Sequence, residues 1–338
     1  MKSSLNDIYN RFYESITSDY IKERGKLLMN VLEVSNLSKK YGDSEVVKRI
    51  SFVVKEGEIL GFLGPNGAGK STTINILATA LKPTAGQIKF MDRDILTNNK
   101  EYKTSIGIVP QSLAIFENLP AIENVKYFAS FYGLKGENLK NKSEEALKMV
   151  GLLDRANDLP KTYSGGMKRR LNIACALAHN PKLLILDEPT VGIDPQSRNH
   201  ILESIKSLRN NGTTIIYTTH YMEEVEAISD RAIILDKGEI IAEGTLENLK
   251  SQIEGNTVYN IYGEGTEKID TDIVLAIEGV EKVEFKDGLR VSTLKDADNL
   301  DKIILKLIEY KVKIKNIVTE DQNLETVFLN LTGRSLRD

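Results

Sequence analysis

The chain has 338 residues, 41% of them hydrophobic and 28% charged, proportions of a globular protein with a sizeable core and about two domains. Its formal net charge of −3 argues against nucleic acid as the main partner, because phosphate binding usually leaves a basic excess. The single cysteine, Cys175, rules out an intrachain disulfide and fits a reducing compartment; set in an apolar run, it reads as a small core residue.

In residues 1–28, Ile8, Phe12, Ile16 and Tyr20 recur at four-residue spacing, which predicts a helix with one apolar face. The segment reads either as a helix that docks on a partner or membrane surface, or as a loose, disordered appendage or upstream extension of a chain whose natural start is Met29. It lacks the apolar core of a signal peptide, and no segment nears the ~20 apolar residues that cross a bilayer. A cytoplasmic location is therefore expected.

From Met29 the pattern changes to strands in "VLEVSNLSKKYG" and "EVVKRISFVVKEGE", rich in β-branched residues and ended by glycine turns. "EILGFLGPNGAGKSTTINILATAL" reads as strand, glycine loop and helix, and "QIKFMDRDI" and "SIGIVPQ" as further strands. Residues 117–159 are helix-rich. Beyond them come a helix over 165–179, a strand over 183–186, a helix over 196–210, a strand over 213–218, a helix over 222–228 and the hairpin "RAIILDKGEIIAEG". Strands alternating with helices imply a mostly parallel sheet covered on both faces. The polar "QIEGN" at 252–256 marks a boundary, and the order after it is β-α-β-β-α-β, a ferredoxin-like split pattern with a closing helix over 324–331. The expected organisation is an extension (1–28), a first domain (29–252, with a helical subdomain near 112–180) and a small α+β domain (257–338).

"GPNGAGKST" follows a strand and opens a helix, the context that a phosphate-binding loop requires. Gly64, Pro65, Asn66, Gly67, Ala68 and Gly69 form the turn, whose glycines let backbone N–H groups face phosphate oxygens. Lys70 is placed to reach the β- and γ-phosphates, Ser71 to ligate Mg²⁺, and Thr72 completes the motif. In "LLILDEP" a buried strand ends in two acids, Asp187 to hold Mg²⁺ through water and Glu188 to polarise the attacking water. The chain has no Asn-Lys-x-Asp base reader, which favours ATP over GTP. In "YSGGMKRR", Ser164 is a helix cap, and Gly165 and Gly166 leave bare N–H groups for a second anion site.

In this order the motifs resemble the ATP-binding-cassette (ABC) ATPases over roughly residues 31–244. The resemblance implies an α/β P-loop NTPase fold, a mixed sheet with helices plus a helical subdomain, and a hydrolysis-competent ATP and Mg²⁺ site. In that family the Ser-Gly-Gly helix caps the γ-phosphate held by a second subunit, so a homodimer, or a pairing with another ATPase subunit, is implied. By the same resemblance Tyr41 stacks on adenine, Gln111 contacts Mg²⁺ or the attacking water, Asp194 lies in the loop that crosses the dimer interface, and His220 hydrogen-bonds the γ-phosphate. A separate integral-membrane permease is implied to dock near Gln111 and the aromatics Phe116, Tyr127, Phe128, Phe131 and Tyr132, placing the chain peripherally on the cytoplasmic face of the cell membrane.

Tyr163, Met167 and Ile193 depart from the family's Leu, Gln and Leu. Met167 has no hydrogen to donate, which puts a side-chain contact to the opposing ribose in doubt. Lys168, Arg169 and Arg170 read as solvated or acid-paired rather than as a nucleic-acid patch. The tail "NLETVFLNLTGRSLRD" and the "YSGGMKRRL" signature resemble the daunorubicin-resistance-type exporters. That implies export of a drug, lipid, polysaccharide or ion, with the added domain steadying the dimer or binding a regulator. Two other readings stay open: an ABC ATPase acting on nucleic acid or ribosomes, and a ligand-sensing regulatory ATPase.

Overall fold

The computed structural model describes residues 29–97, 99–251, 257–285, 287–294, 297–320 and 323–333. The helix expected around Ile8 to Tyr20 and the boundary at 252–256 lie outside the described residues.

The chain runs through β1 (Asn30–Tyr41), β2 (Ser44–Lys55), β3 (Ile59–Leu63), α1 (Lys70–Leu77), β4 (Ala85–Phe90), β5 (Arg93–Asp94), α2 (Lys100–Ser105) and β6 (Ile106–Val109). Three helices follow, α3 (Ala121–Ser130), α4 (Gly136–Met149) and α5 (Gly165–Leu177). Next come β7 (Leu183–Asp187), α6 (Pro195–Asn210), β8 (Thr214–Thr219), α7 (Met222–Ile228), β9 (Arg231–Asp236), β10 (Glu239–Thr245) and α8 (Leu246–Ser251). The remainder is β11 (Thr257–Glu264), α9 (Thr271–Leu275), β12 (Val280–Phe285), β13 (Leu289–Thr293), α10 (Leu300–Glu309), β14 (Lys313–Glu320) and α11 (Leu324–Thr332).

The central sheet has the order β10-β9-β3-β8-β7-β6. Its strands are parallel except β10, which returns antiparallel on β9. β3 and β8 are buried at every position, as expected of inner parallel strands with both faces covered. One face carries the helical segment: Val125, Leu147, Leu171 and Ile205 pack there against Leu184, Leu186 and Ile215.

This mixed, mostly parallel sheet is the one expected from the sequence, and the first two strands do not join it. They form a second, antiparallel sheet of order β2-β1-β4-β5. Its inner side chains, among them Val34, Phe52 and Ile88, share one core with Leu60, Phe62, Ile74 and Ile185. The physical reason is in the burial: β2 alternates between covered and exposed positions over much of its length, as a strand with one wet face does, whereas β3 does not.

The third sheet has the order β12-β13-β11-β14 with every pair antiparallel. Val274 of α9 and Ile303 and Leu307 of α10 pack with Ile261, Leu289 and Val291 in its core. The closing helix leaves this unit. Leu324, Val327 and Phe328 of α11 are buried against Leu63 of β3, Met222 and Val225 of α7, Ile234 of β9 and Leu249 of α8. Asn323 caps α11 by accepting from the Thr326 N–H at 2.9 Å, and the Leu324 N–H donates to Glu226 Oε1 at 2.7 Å.

Replacing Phe328, which is fully buried at this junction, by Ala is expected to cost about 3–5 kcal/mol. The check is the midpoint of thermal or denaturant unfolding of the full chain; an unchanged midpoint would show that α11 contributes nothing to the shared core.

Candidate active site

The site is assembled at the C-terminal ends of β3, β7 and β8. After Leu63 the chain turns through the glycine loop and enters α1 at Lys70, with Gly69 as the N-cap in a left-handed conformation, φ +102°. Gly64 is required by a close approach: a Cβ there would meet the Leu235 carbonyl oxygen at 2.4 Å. Lys70 is only 4% exposed. Its ammonium donates to the carbonyls of Gly64 (2.7 Å) and Pro65 (3.1 Å) and lies 3.3 Å from Glu188 Oε1. Burial lowers the Lys70 pKa, and the charge and hydrogen bond of Glu188 oppose that shift.

Asp187 and Glu188 are fixed by one residue of the neighbouring strand, Thr218. Its hydroxyl donates to Asp187 Oδ1 at 2.7 Å, and its carbonyl and hydroxyl oxygens accept from the Glu188 N–H at 3.1 and 2.9 Å. Burial raises the Asp187 pKa, and the Thr218 hydrogen bond works against it. Glu188 has φ +45°, a backbone state that costs a non-glycine residue about 1–3 kcal/mol and persists where surrounding contacts dictate it.

The Glu188 carboxylate is where the predicted residues meet. Besides Lys70, the Gln111 amide donates to its Oε2 at 3.2 Å, and His220 Nδ1 lies 3.5 Å from the same oxygen. The histidine contact is a close approach without hydrogen-bond geometry, since His220 Nδ1 has no hydrogen-bond partner. Glu188, Gln111 and Lys70 line one cleft with Val46, Asn66, Gly67, Gly69, Ser71 and Thr72. No cluster of three or more His, Cys, Asp or Glu among the described residues is arranged to hold a metal. Mg²⁺ beside a nucleotide needs only one or two protein groups with phosphates and water, and Ser71 and Gln111 in this cleft fit that demand.

The remaining predicted residues stand elsewhere. The Tyr41 ring is half exposed with the Lys39 ammonium 5.2 Å from its centroid, and it does not line the cleft. Ser164 caps α5 by accepting from the Met167 N–H at 3.3 Å. Asp194 caps α6 by accepting from the Ser197 N–H at 2.9 Å, a bond that lowers its pKa. These two helix starts adjoin, because a Cβ on Gly166 would meet Ser197 Cβ at 2.5 Å and one on Gly165 would meet Ile193 Cδ1 at 3.5 Å. Ser164, Gly165, Gly166 and Asp194 thus share a surface, and none of them lines the cleft. The sequence reading gave both glycines the task of baring N–H groups; Gly166 is also what lets α5 and α6 touch.

The basic trio corrects an expectation. Lys168 is acid-paired, 2.6 Å from Glu117 Oε1. Arg169 and Arg170 instead donate to backbone carbonyls, Arg169 to Pro110 and Gln111 and Arg170 to Val150. Tyr163, in place of the family's Leu, is buried and its hydroxyl donates to the Arg155 carbonyl at 2.6 Å. Cys175 is buried and free, and burial pushes its thiol pKa up. Phe116, Tyr127 and Phe131 form an exposed edge-to-face ladder with centroids 5.0 Å apart, while Tyr132 stacks on His179.

Sequence reasoning missed Thr218 and a buried network around Glu224. There Tyr217 and Thr219 donate to Glu224 Oε2 at 2.9 and 2.7 Å, and Arg198 lies 3.4 Å from Oε1. Thr218 sits next to the noticed "THY", but a threonine in a strand carries no signal of its partners. The network has no motif at all.

The profile of the ABC transporter family matches residues 47–191. A linearmycin resistance ATP-binding protein, LnrL of Bacillus subtilis, is 43% identical over 91% of this chain and 100% of its own length. A daunorubicin resistance ATP-binding protein, DrrA3 of Streptomyces coeruleorubidus, is 32% identical over 90% of this chain and 97% of its own length. Among solved structures, a dimeric, post-hydrolysis ATP-binding cassette bound to ADP and Pi superposes with a TM-score of 0.57 at 31% identity, covering 64% of this chain and 98% of that one. The chain therefore belongs to the ABC transporter family and is an ATP-hydrolysing, nucleotide-binding subunit of its daunorubicin-resistance-type branch.

Proposed function

We propose that two copies of this chain close head to tail on two ATP molecules, and that closing and opening drives export through a separate membrane permease. The observation that carries this reading is the division of the chain's anion-binding groups. One set surrounds the Glu188 carboxylate and the glycine loop, the other caps α5 and α6, and only the first lines the cleft. A second copy would bring the missing set.

Within a closed site, Lys70 binds the β- and γ-phosphates and the loop N–H groups bind the phosphate oxygens. Glu188 takes a proton from the attacking water, with Gln111 orienting that water. His220 donates to the γ-phosphate, and Tyr41 offers its ring face to adenine. Ser71 and Gln111, with Asp187 through water, would hold Mg²⁺, which when bound neutralises charge developing on the phosphates. Ser164, Gly165 and Gly166 of the other copy cap the γ-phosphate, and Asp194 faces its counterpart across the interface.

Among the described residues no helix is long and apolar enough to cross a membrane, and we assign the membrane path to another subunit. Phe116, Tyr127 and Phe131 lie on the segment after Gln111 and are exposed, which suits a surface that receives a short helix of that subunit at the cytoplasmic face. Relatives named for resistance to linearmycin and daunorubicin support drug-like cargo. ATP energy becomes a population shift between open and closed pairs.

Three variants test this. Glu188→Gln should slow hydrolysis by about a hundredfold or more and trap an ATP-bound dimer, seen by phosphate release and size-exclusion chromatography; turnover at the parent rate would remove Glu188 as the base. Lys70→Ala should weaken ATP binding by about tenfold or more, measured by fluorescent-nucleotide titration. Ser164→Arg should leave binding to the single copy intact while abolishing ATP-driven dimers in the Glu188→Gln background. Persisting dimers would contradict the shared site.

A further inference from the structure

Arg169 lies on α5 within a turn of Gly165 and Gly166, and it is 4% exposed. Its guanidinium donates from Nη1 to the Pro110 carbonyl at 2.9 Å and from Nη2 to the Gln111 carbonyl at 2.6 Å. No carboxylate among the described residues forms an ion pair with it, and its buried Nε has no hydrogen-bond partner. A cation held this way is costly for mere packing, because an apolar chain of similar volume would fill the space without the desolvation. What the guanidinium adds is a rigid planar fork that fixes two successive carbonyls relative to the helix.

Those carbonyls belong to the loop that carries Gln111, whose amide donates to Glu188 Oε2 at 3.2 Å. A continuous path therefore runs from the capped start of α5, through Arg169, to the Gln111 backbone, its side chain and the Glu188 carboxylate. We propose that Arg169 is a positioning residue that couples the two nucleotide sites: engagement of the α5 start by the other copy's ATP moves Pro110 and Gln111 with the helix and sets Gln111 against Glu188 in its own site. The inference rests on the head-to-tail dimer proposed above.

The experiment uses the full chain and measures ATPase rate against ATP concentration for the parent, Arg169→Met, Arg169→Lys and each in a Gln111→Ala background. The parent should turn over ATP with a Hill coefficient above 1. Arg169→Met should fall to a coefficient near 1 with kcat lowered about tenfold, within the usual range of coupling between sites, while fluorescent-nucleotide binding to the single copy stays within about twofold. Arg169→Lys, with a point charge in place of the fork, should recover only part of both. In the Gln111→Ala background the Arg169 changes should cause no further loss, since both act on one path. The proposal is overturned by a parent coefficient of 1, by variants that keep the parent's coefficient and kcat, or by losses that multiply independently of Gln111. It is also overturned if a lowered unfolding temperature accounts for the loss, so that kcat returns at lower temperature. If Arg169→Met does not fold, Arg169→Lys alone decides by the same criteria. Failure of the dimer reading shows separately, as a Glu188→Gln chain with Arg169 intact that does not dimerise on ATP.

Discussion

The contact on which the rest depends is the buried meeting of Lys70 and Glu188. Two opposite charges, 4% and 7% exposed at their side chains, stand 3.3 Å apart, one at the start of α1 and the other just past the end of β7. Removing both from water is expensive, and leaving either alone would be more so. The strand register supplies the compensation. β3 and β8 are parallel with Leu63 opposite Thr219, and β7 and β8 are parallel with Asp187 opposite Thr218. That alignment brings the glycine loop, the two acids and His220 to the same edge, and puts the Thr218 hydroxyl where it can serve Asp187 and the Glu188 N–H together. The left-handed backbone of Glu188 is held by those bonds. A one-residue slip of β7 against β8 would remove them and turn the acids away from the lysine.

The same chain holds a second group of helix starts that is structurally complete without this centre. Ser164 and Asp194 each cap their own helix, and Gly166 lets the two helices touch at Ser197. Capping by a side chain satisfies one N–H of the first turn and leaves others facing outward. The carboxylate there, Asp194, is engaged in capping its own helix, while the Glu188 centre has two adjacent acids and a buried cation. The two groups differ in what they can do, and the head-to-tail pair proposed above would join them in one site.

Much of this was legible because phosphate chemistry restricts residue choice. A loop that must bend through left-handed φ and approach a carbonyl at 2.4 Å leaves only glycine at Gly69 and Gly64, so "GPNGAGKST" announces itself, and the strand ending in Asp187 follows from its apolar run. Lys70 and Glu188 come from motifs, Gln111 and His220 from the family resemblance; in the structure Lys70, Gln111 and His220 each approach the Glu188 carboxylate, at 3.3, 3.2 and 3.5 Å. Arg169 was not legible, since its partners are carbonyls, which every residue has; a run of three basic residues looks the same whether its members are solvated or buried. The division of the early strands between two sheets was hidden for a related reason. Alternation in β2 and uniform burial in β3 are clear once solvent is known, yet both segments read simply as strands. For α11, the sequence marked a closing helix over 324–331 and did not say which core would receive the stripe of Leu324, Val327 and Phe328.

That stripe matters for the helix that follows His220. α7 has seven residues, too short to hold its shape by backbone hydrogen bonds alone. Its position must come from packing, and it is gripped from two sides. Inward, Glu224 accepts from Tyr217 and Thr219 of β8 and faces Arg198 of α6. Outward, Met222 and Val225 pack in the core that receives Leu324, Val327 and Phe328, while Glu226 accepts from the Leu324 N–H and pairs with Lys250. Arg198 also lies 4.6 Å over the Tyr221 ring, which in turn sits 4.1 Å from the His220 ring. The histidine beside Glu188 is therefore placed by a short helix whose register is set by α6 on one side and by the chain's closing helix on the other. The last described helix, distant in sequence from every phosphate-binding motif, is part of what holds the site's geometry.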